Sequence, residues 1–456
     1  MNIREKIYSK KQLNEVLHTT LNPYEPGAVR IHLVPAKSSF FKSRPSIVIL
    51  NGKDIIPINE AWAILLSIFI KEVNQFEGKA VSAKILDRVI KNTVEKTRNI
   101  YRKTGRIEIR EDLKEMIQVF TDIATTGDTD IDVGQMTLGE YAPNMRAPHR
   151  MDLMISSMSK DNKWNCNQKC LHCYAAGQKL SETPELSTDE WKKVIDICKK
   201  ECIPQLTFTG GEPTLRDDLV ELVDYSKWFV TRLNTNGVLL SKELCKKLYN
   251  ASLDSVQVTL YSSDSKIHNE LVGANNFDKT VKGIKNALEA GLNVSINTPL
   301  CSLNKNYLDT LRFAKELGIT YVTCSGLIVT GNAKEKKSQK TQLSEKELFN
   351  ILKKSKKYTD TNLMEMNFTS PGWIKEESLR ELDLEPPTCG ACLSNMAITP
   401  DGNVVPCQSW LDEKSSFGNI LNTKWKKIWN NPSCKKQRNF SSKMDYTCPL
   451  KGGSNE

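Results

Sequence analysis

The sequence predicts an α/β protein: a partial (β/α)6, TIM-like barrel between a small N-terminal α+β domain and a C-terminal cysteine-rich domain. Three observations lead there. From residue 150 onward, strand-like and helix-like runs alternate six times, the pattern of a parallel sheet with helices outside. Before that point, short β-patterned runs come first and helical runs follow. The 13 cysteines are also uneven, with three at 166–173 and five at 389–448. A chain of 456 residues has room for two or three domains.

The N-terminal elements can be justified in order. Val29, Ile31 and Leu33 alternate with Arg30 and His32 in AVRIHLV (28–34), a strand pattern. PSIVIL (45–50) and KDIIPI (53–58) flank Asn51-Gly52, a hairpin turn signal. Asn59 can cap a helix through Ala61, Trp62, Leu65, Leu66 and Phe69. Helical patterns follow at 81–101 and 111–124. The first domain is therefore expected at 1–125. Residues 126–149 carry Gly and Pro without periodicity and read as a linker.

The core, expected at 150–332, has strand-like runs at RMDLMI (150–155), QLTFTG (205–210), FVTRLN (229–234), SVQVTL (255–260), NVSINT (293–298) and YVTCSGLI (321–328). Helical runs lie between them, one opened by Ser187 with Glu190 three residues on, a capping box. Six units are too few for the closed eight-stranded barrel, so the sheet is open or partial. Its active site should gather at the C-terminal strand ends. A charged helical bridge, 333–380, leads to a last domain at 381–456.

Composition narrows the function classes. Hydrophobic residues make up 39% and charged ones 26%, values of a globular chain. The longest apolar run, residues 61–70, is too short to span a bilayer, and the N-terminus has no apolar signal core. No membrane partner is expected, and the expected compartment is the cytoplasm. There, clustered thiols bind metal or react. The scattered Cys198, Cys202, Cys245, Cys301 and Cys324 read as small buried hydrophobes. The net charge of +10 resides in residues 1–110, with 20 Lys and Arg against 10 Asp and Glu.

Two motifs carry chemistry. WNCNQKCLHCYAAG (164–177) follows the first core strand and sets Cys166, Cys170 and Cys173 on one loop. Three thiolates can hold three corners of a [4Fe–4S] cubane and leave the fourth iron open to an outside ligand. A zinc site borrowing His172 is the alternative, but zinc sites usually pair C-x2-C with a second pair downstream. TFTGGEPTLRDD (207–218) puts Gly210, Gly211 and Glu212 at the end of the second strand. Paired glycines let backbone approach a ligand, and a carboxylate beside them can accept from an ammonium.

In this order and position the two motifs resemble the radical S-adenosylmethionine (radical SAM) superfamily, over about 150–330. The resemblance implies that Cys166, Cys170 and Cys173 hold a [4Fe–4S] cluster whose open iron is chelated by S-adenosylmethionine. It implies that Glu212 with Gly210 and Gly211 binds the methionyl ammonium and that His172 lies near the adenine. Asn236 in NTNG and Thr259 in TLYSS fall on strand ends that contact the ribose and carboxylate in the family. Reductive cleavage would give a 5′-deoxyadenosyl radical that takes a hydrogen atom from substrate, with the electron coming from a flavodoxin- or ferredoxin-type donor.

CGACLSNMAITPDGNVVPC (389–407) has a Cys-x9-Gly-x4-Cys pattern that resembles the opening of the SPASM/Twitch extension, as does FGNILNTKWKKIWNNP after it. That extension implies an auxiliary cluster, a second [4Fe–4S], with Cys389, Cys392, Cys407 and Cys448 as ligands. The tail lacks the dense cysteine run of the full extension, and Cys434, in a basic helical stretch, reads as a bystander. The N-terminal element order is similar to the PqqD-like, winged-helix-type peptide-recognition element. A leader peptide would add a strand to the 45–58 hairpin, with Lys37, Lys42, Arg44 and Lys53 drawing in acidic side chains.

The expected function is hydrogen abstraction from a ribosomally made precursor peptide, ending in a thioether or carbon–carbon cross-link. The alternatives are radical chemistry on a small molecule or on a protein Ser or Cys, and, in another class, nucleic-acid binding with structural metal. The last leaves the Gly-Gly-Glu motif without a role, so no nucleic-acid partner is expected.

Overall fold

The computed structural model describes residues 12–13, 17–21, 29–35, 45–50, 54–76, 82–126, 129–130, 142, 145–161, 163–201, 203–444 and 446–451. The expected Asn51-Gly52 turn, Lys37, Lys42, Arg44, Lys53, Cys202 and most of the linker lie outside the described residues. The chain divides into two units, 1–144 and 145–456.

The first unit is an antiparallel meander of β1 (Leu17–Leu21), β2 (Val29–Val34), β3 (Ser46–Leu50) and β4 (Asp54–Ile58), in that spatial order. Three helices follow: α1 (Glu60–Val73), α2 (Ala83–Ile100) and α3 (Arg106–Thr126). The sequence reading lacks β1, because its interior, His18-Thr19-Thr20, offers no apolar alternation. Register lines up Leu33 with Val48 and Val48 with Ile56. That row packs with Leu65, Phe69, Met116 and Phe120 of α1 and α3. Asn59 caps α1 as expected, its Oδ1 accepting from the Trp62 N–H at 2.9 Å.

In the second unit β5 (Arg150–Ser156), β6 (Gln205–Gly210), β7 (Val230–Thr235), β8 (Ser255–Thr259), β9 (Asn293–Pro299) and β10 (Tyr321–Ser325) pair parallel in sequential order. These are the six expected strands. Between them run α4 (Thr188–Lys200), α5 (Leu219–Tyr225), α6 (Lys242–Asn250), α7 (Ser265–Val272), α8 (Phe277–Glu289) and α9 (Tyr307–Glu316). The Ser187–Glu190 capping box forms at the start of α4.

Two features differ from expectation. The 333–380 segment, expected to be helical, holds α10 (Glu345–Thr361) and α11 (Glu376–Glu381) but also β11 (Glu365–Phe368), which pairs parallel with β10. Four residues are too few to show a strand period. In addition, β12 (Asn395–Ile398) pairs parallel with β5, and β13 (Val404–Val405) pairs antiparallel with β12. The cysteine-rich segment therefore adds two strands to the core sheet, which with β11 has nine. It ends in α12 (Trp425–Trp429) and α13 (Pro432–Ser441).

Register puts Leu153, Phe208, Leu233 and Val256 in one row, all buried. The opposite face carries Asp152, Thr207, Arg232, Gln257, Asn297 and Thr323. Parallel sheets are usually apolar on both faces, so a polar inner face marks where a polar substrate can be met. Among the described residues no helix is long and apolar enough to cross a membrane.

Candidate active site and auxiliary cysteine group

The cysteine loop leaves the C-terminal end of β5 and is fixed mainly through its backbone. The Lys169 and Leu171 N–H groups donate to Val272 O (2.9 Å) and Leu271 O (2.8 Å). The Asn332 N–H donates to Cys173 O at 2.9 Å and its Nδ2 to Cys170 O at 3.0 Å. Ser338 Oγ donates to Leu171 O at 2.8 Å. Gly331, at φ +54°, lies so close that a Cβ there would stand 2.4 Å from Cys173 O. Nothing in the local sequence of 164–177 announces these distant clamps.

Burial pushes the Cys166 thiol up to about 12, with Glu212 and Cys173 acting in the same direction. Cys170 is pushed well above the usual thiol range by burial and then by Cys173 and Cys166. The three sulfurs and Glu212 thus share one space, where like charges oppose ionisation and a bound cation would favour it. A cubane spreads its thiolates over separate irons and suits this loop.

Glu212 is 1% exposed. Its Oε1 accepts from the Thr214 N–H (3.0 Å), Thr214 Oγ1 (2.5 Å) and Thr235 Oγ1 (2.6 Å). Its Oε2 accepts from the Asn236 N–H at 2.8 Å and, among the described residues, has one lone pair left. Burial raises its pKa, against the pull of these donors. A buried carboxylate with donors but no cation is prepared for a cationic ligand.

The neighbouring glycines have a packing reason in the fold. A Cβ on Gly210 (φ +133°) would stand 2.2 Å from Ser156 O, and one on Gly211 2.9 Å from Ser157 O. They let the end of β5 approach, with the Gly211 N–H donating to Ser156 O at 2.8 Å.

His172 is buried, and burial pulls its pKa down to about 4, so it is neutral. Thr341 Oγ1 donates to Ser338 O at 2.6 Å and so accepts from His172 Nε2 at 2.7 Å. The ring's Nδ1 is buried with no hydrogen-bond partner among the described residues, an acceptor left open. Asn236 donates through Nδ2 to Asn167 Oδ1 at 2.5 Å, tying the Glu212 strand end to the cysteine loop. Asn167 Nδ2 is in turn buried without a partner. Thr259 ends β8, half-buried, in register with Asn297.

Thr235, Asn167 and Arg216 escaped the sequence reading. Arg216 Nη1 pairs with Glu185 at 3.1 Å and its Nη2 with Asp218 at 2.7 Å, all three side chains at most 16% exposed. Glu185 Oε1 accepts from Ser157 N (2.9 Å) and Asn165 Nδ2 (3.2 Å), so the ion network braces the residue before Cys166. The only available signal was an arginine four residues after Glu212.

The second cysteine group brackets β12 and β13. Cys392 lies in the left-handed region at φ +58°, its N–H between Asn395 O (3.0 Å) and Pro406 O (3.2 Å). A non-glycine residue held there is strained, as functional residues often are. Burial pushes the Cys407 thiol up to about 12, with Cys389 and Cys448 adding to it. Cys434 is not isolated: it lies against Cys392, which is raised by burial and then by Cys434. Cys198, Cys245, Cys301 and Cys324 are fully buried, as expected of packing residues.

Residues 165–317 match the family model of the radical SAM superfamily, and residues 389–450 that of SPASM, an iron–sulfur cluster-binding domain. Fe-coproporphyrin III synthase of Methanosarcina barkeri is 37% identical over 155 residues, 31% of this chain and 38% of that protein. Mycofactocin maturase MftC of Mycolicibacterium smegmatis is 28% identical over 267 residues, 56% of this chain and 65% of that one. The chain thus spans 38% and 65% of the lengths of these two curated relatives. The crystal structure of Streptococcus suis SuiB bound to precursor peptide SuiA shares the fold, with TM-score 0.58 and 18% identity, over 90% of this chain and 87% of SuiB. The chain thus carries a radical SAM domain over 165–317 and a SPASM domain over 389–450; the first implies S-adenosylmethionine and a [4Fe–4S] cluster as cofactors, the second auxiliary iron–sulfur clusters.

Proposed function

We propose that the chain modifies a ribosomally synthesised precursor peptide, abstracting a hydrogen atom and closing a thioether or carbon–carbon cross-link. The observation that carries this reading is the extent of the fold likeness to SuiB. Residues 145–456 make up about two-thirds of the chain, so a match over 90% of it reaches into the N-terminal unit. SuiB was crystallised with a precursor peptide. An antiparallel sheet in that unit offers an edge to an extended leader, and the basic excess of residues 1–110 favours an acidic one. Pro57 removes a donor from the edge strand β4, so the leader would pair with β1.

Cys166, Cys170 and Cys173 would hold the cluster of the radical SAM domain. Cys389, Cys392 and Cys407 would hold the auxiliary one, with a fourth thiol from Cys434 or Cys448. When bound, the first cluster and S-adenosylmethionine supply the 5′-deoxyadenosyl radical. Glu212 would take the methionyl ammonium on its open lone pair. Among the described residues Asn167 Nδ2 is a buried donor and His172 Nδ1 a buried acceptor with no partner, the latter for the adenine. Gly210 and Gly211 would serve indirectly, by seating the Glu212 turn on β5. Thr259, at its strand end, would reach the ribose or carboxylate. The polar inner face, Arg232 and Asn297 among it, would receive the peptide backbone.

The test is anaerobic turnover of the reconstituted enzyme with short peptides encoded beside its gene, full-length and leaderless. A loss of two hydrogens per cross-link in the full-length peptide, read by mass spectrometry, supports the proposal. Equal reaction of the leaderless core defeats the recognition role. The 37% identity over 155 residues to an Fe-coproporphyrin III synthase favours a small-molecule substrate as the second reading, and unreacted peptides would strengthen it.

A further inference from the structure

Helix α13 turns one face toward the auxiliary cysteines. Cys434, Gln437, Arg438 and Ser441 sit at i, i+3, i+4 and i+7, a single stripe. Gln437 Nε2 donates to Cys389 Sγ at 3.8 Å; Ser441 Oγ lies 3.8 Å from the same sulfur and gives its one proton to Ala391 O at 2.7 Å. Arg438 Nη1 donates to Cys434 Sγ at 3.4 Å and its Nη2 to Trp429 O at 3.1 Å. Its guanidinium lies 3.9 Å over the Trp429 ring.

Arg438 is 8% exposed, and among the described residues no carboxylate pairs with it. A guanidinium cannot shed its proton, so burying it without an anion is costly. The group it points at is a thiol, Cys434, itself 0% exposed and lying against Cys392, also 0% exposed. A neutral bystander thiol would not repay that burial. A cluster ligand would, because an iron–sulfur cluster with four thiolates is a negatively charged body whose net charge and sulfur hydrogen bonds set its potential. Cys448 also acts on Cys407 and is acted on by Cys389, but among the described residues no buried cation faces it, and it stands half-buried on the wall of a cavity of about 710 Å3 with Trp410, Phe417 and Phe440.

We propose that Cys434, with Cys389, Cys392 and Cys407, ligates the auxiliary cluster, and that Arg438 is the cluster's counter-charge. Cys448 is then left as a free thiol facing the cavity. This rests on the SPASM domain holding such a cluster.

The experiment starts from a full-length parent with Cys166, Cys170 and Cys173 changed to Ala, so that only the auxiliary cluster can load. Iron per chain, the EPR signal of the reduced cluster and its midpoint potential are measured after anaerobic reconstitution. In that parent, Cys434→Ala should lose the auxiliary iron while Cys448→Ala keeps it. Arg438→Gln should keep the iron but move the midpoint potential downward, since a lost positive charge disfavours the reduced state, and Arg438→Lys should restore most of the shift. Full iron in Cys434→Ala, or lost iron in Cys448→Ala, overturns the ligand assignment. If Cys434→Ala does not fold, the Arg438 pair decides: an unchanged potential overturns the counter-charge and the assignment with it. A parent that takes up no auxiliary iron overturns both this proposal and the cluster reading beneath it, whereas a loaded parent with loaded Cys434→Ala overturns this proposal alone.

Discussion

Replacing Glu212 with Gln isolates charge from shape. The amide can keep the three Oε1 contacts to Thr214 and Thr235. At the other position it puts an NH2 against the Asn236 N–H, where a carboxylate oxygen now accepts at 2.8 Å. Donor then faces donor, at a cost of about 1–3 kcal/mol. Neutralising a 1%-exposed carboxylate also removes its desolvation penalty, so the unliganded fold should change little in stability. Ligand binding is where the loss should fall. An ammonium that meets the amide NH2 instead of a buried carboxylate oxygen loses about 2–5 kcal/mol, roughly 30- to several-thousand-fold in Kd. The sign with pH follows from burial. The pKa of Glu212 is raised, so lowering the pH protonates it before an exposed carboxylate, and affinity for S-adenosylmethionine should fall with it. In the Gln variant this pH dependence should vanish. Anaerobic equilibrium binding on cluster-loaded protein, with iron measured in parallel, reads both effects. A Kd within threefold of wild type at full iron content would refute the placing of the ammonium at Glu212.

Further outcomes are expected. Reconstituted protein should carry about eight iron as two [4Fe–4S] clusters, and changing Cys166, Cys170 and Cys173 together to Ala should halve that and abolish S-adenosylmethionine cleavage. Gly331→Ala, whose Cβ would meet Cys173 O at 2.4 Å, should lower the melting temperature and iron retention more than Gly318→Ala, which has open space at a similar backbone angle; equal losses would discount the clamp. Arg216→Met leaves Glu185 and Asp218 unpaired and mostly buried, and should cost about 3 kcal/mol in denaturant unfolding. Adding a precursor peptide should slow amide exchange in Leu17–Leu21 more than in Asp54–Ile58, and the reverse order would move the docking edge to β4.

The sequence by itself determined what is local. Cap residues such as Asn59 and Ser187 state where helices begin, because the groups they satisfy lie within one turn. The six core strands are readable because each is long enough to show its period, and Cys166, Cys170, Cys173 and Glu212 because their spacing and their place after strands are written in order. Tertiary structure alone decided the rest. β11 and β12 are four residues each, and what makes them strands is the open edge of β10 or β5 that they complete. Gly331 and Asn332 clamp a loop about 160 residues away, and Arg216 braces it through Glu185. Cys434 stands in a basic helix, and only the fold sets that helix against Cys389 and Cys392 with Arg438 turned inward, which is what supports proposing it as a ligand. A charge pattern along a chain says which side chains are ionised, but the cost of burying one, and therefore what must sit beside it, exists only once the fold has excluded water.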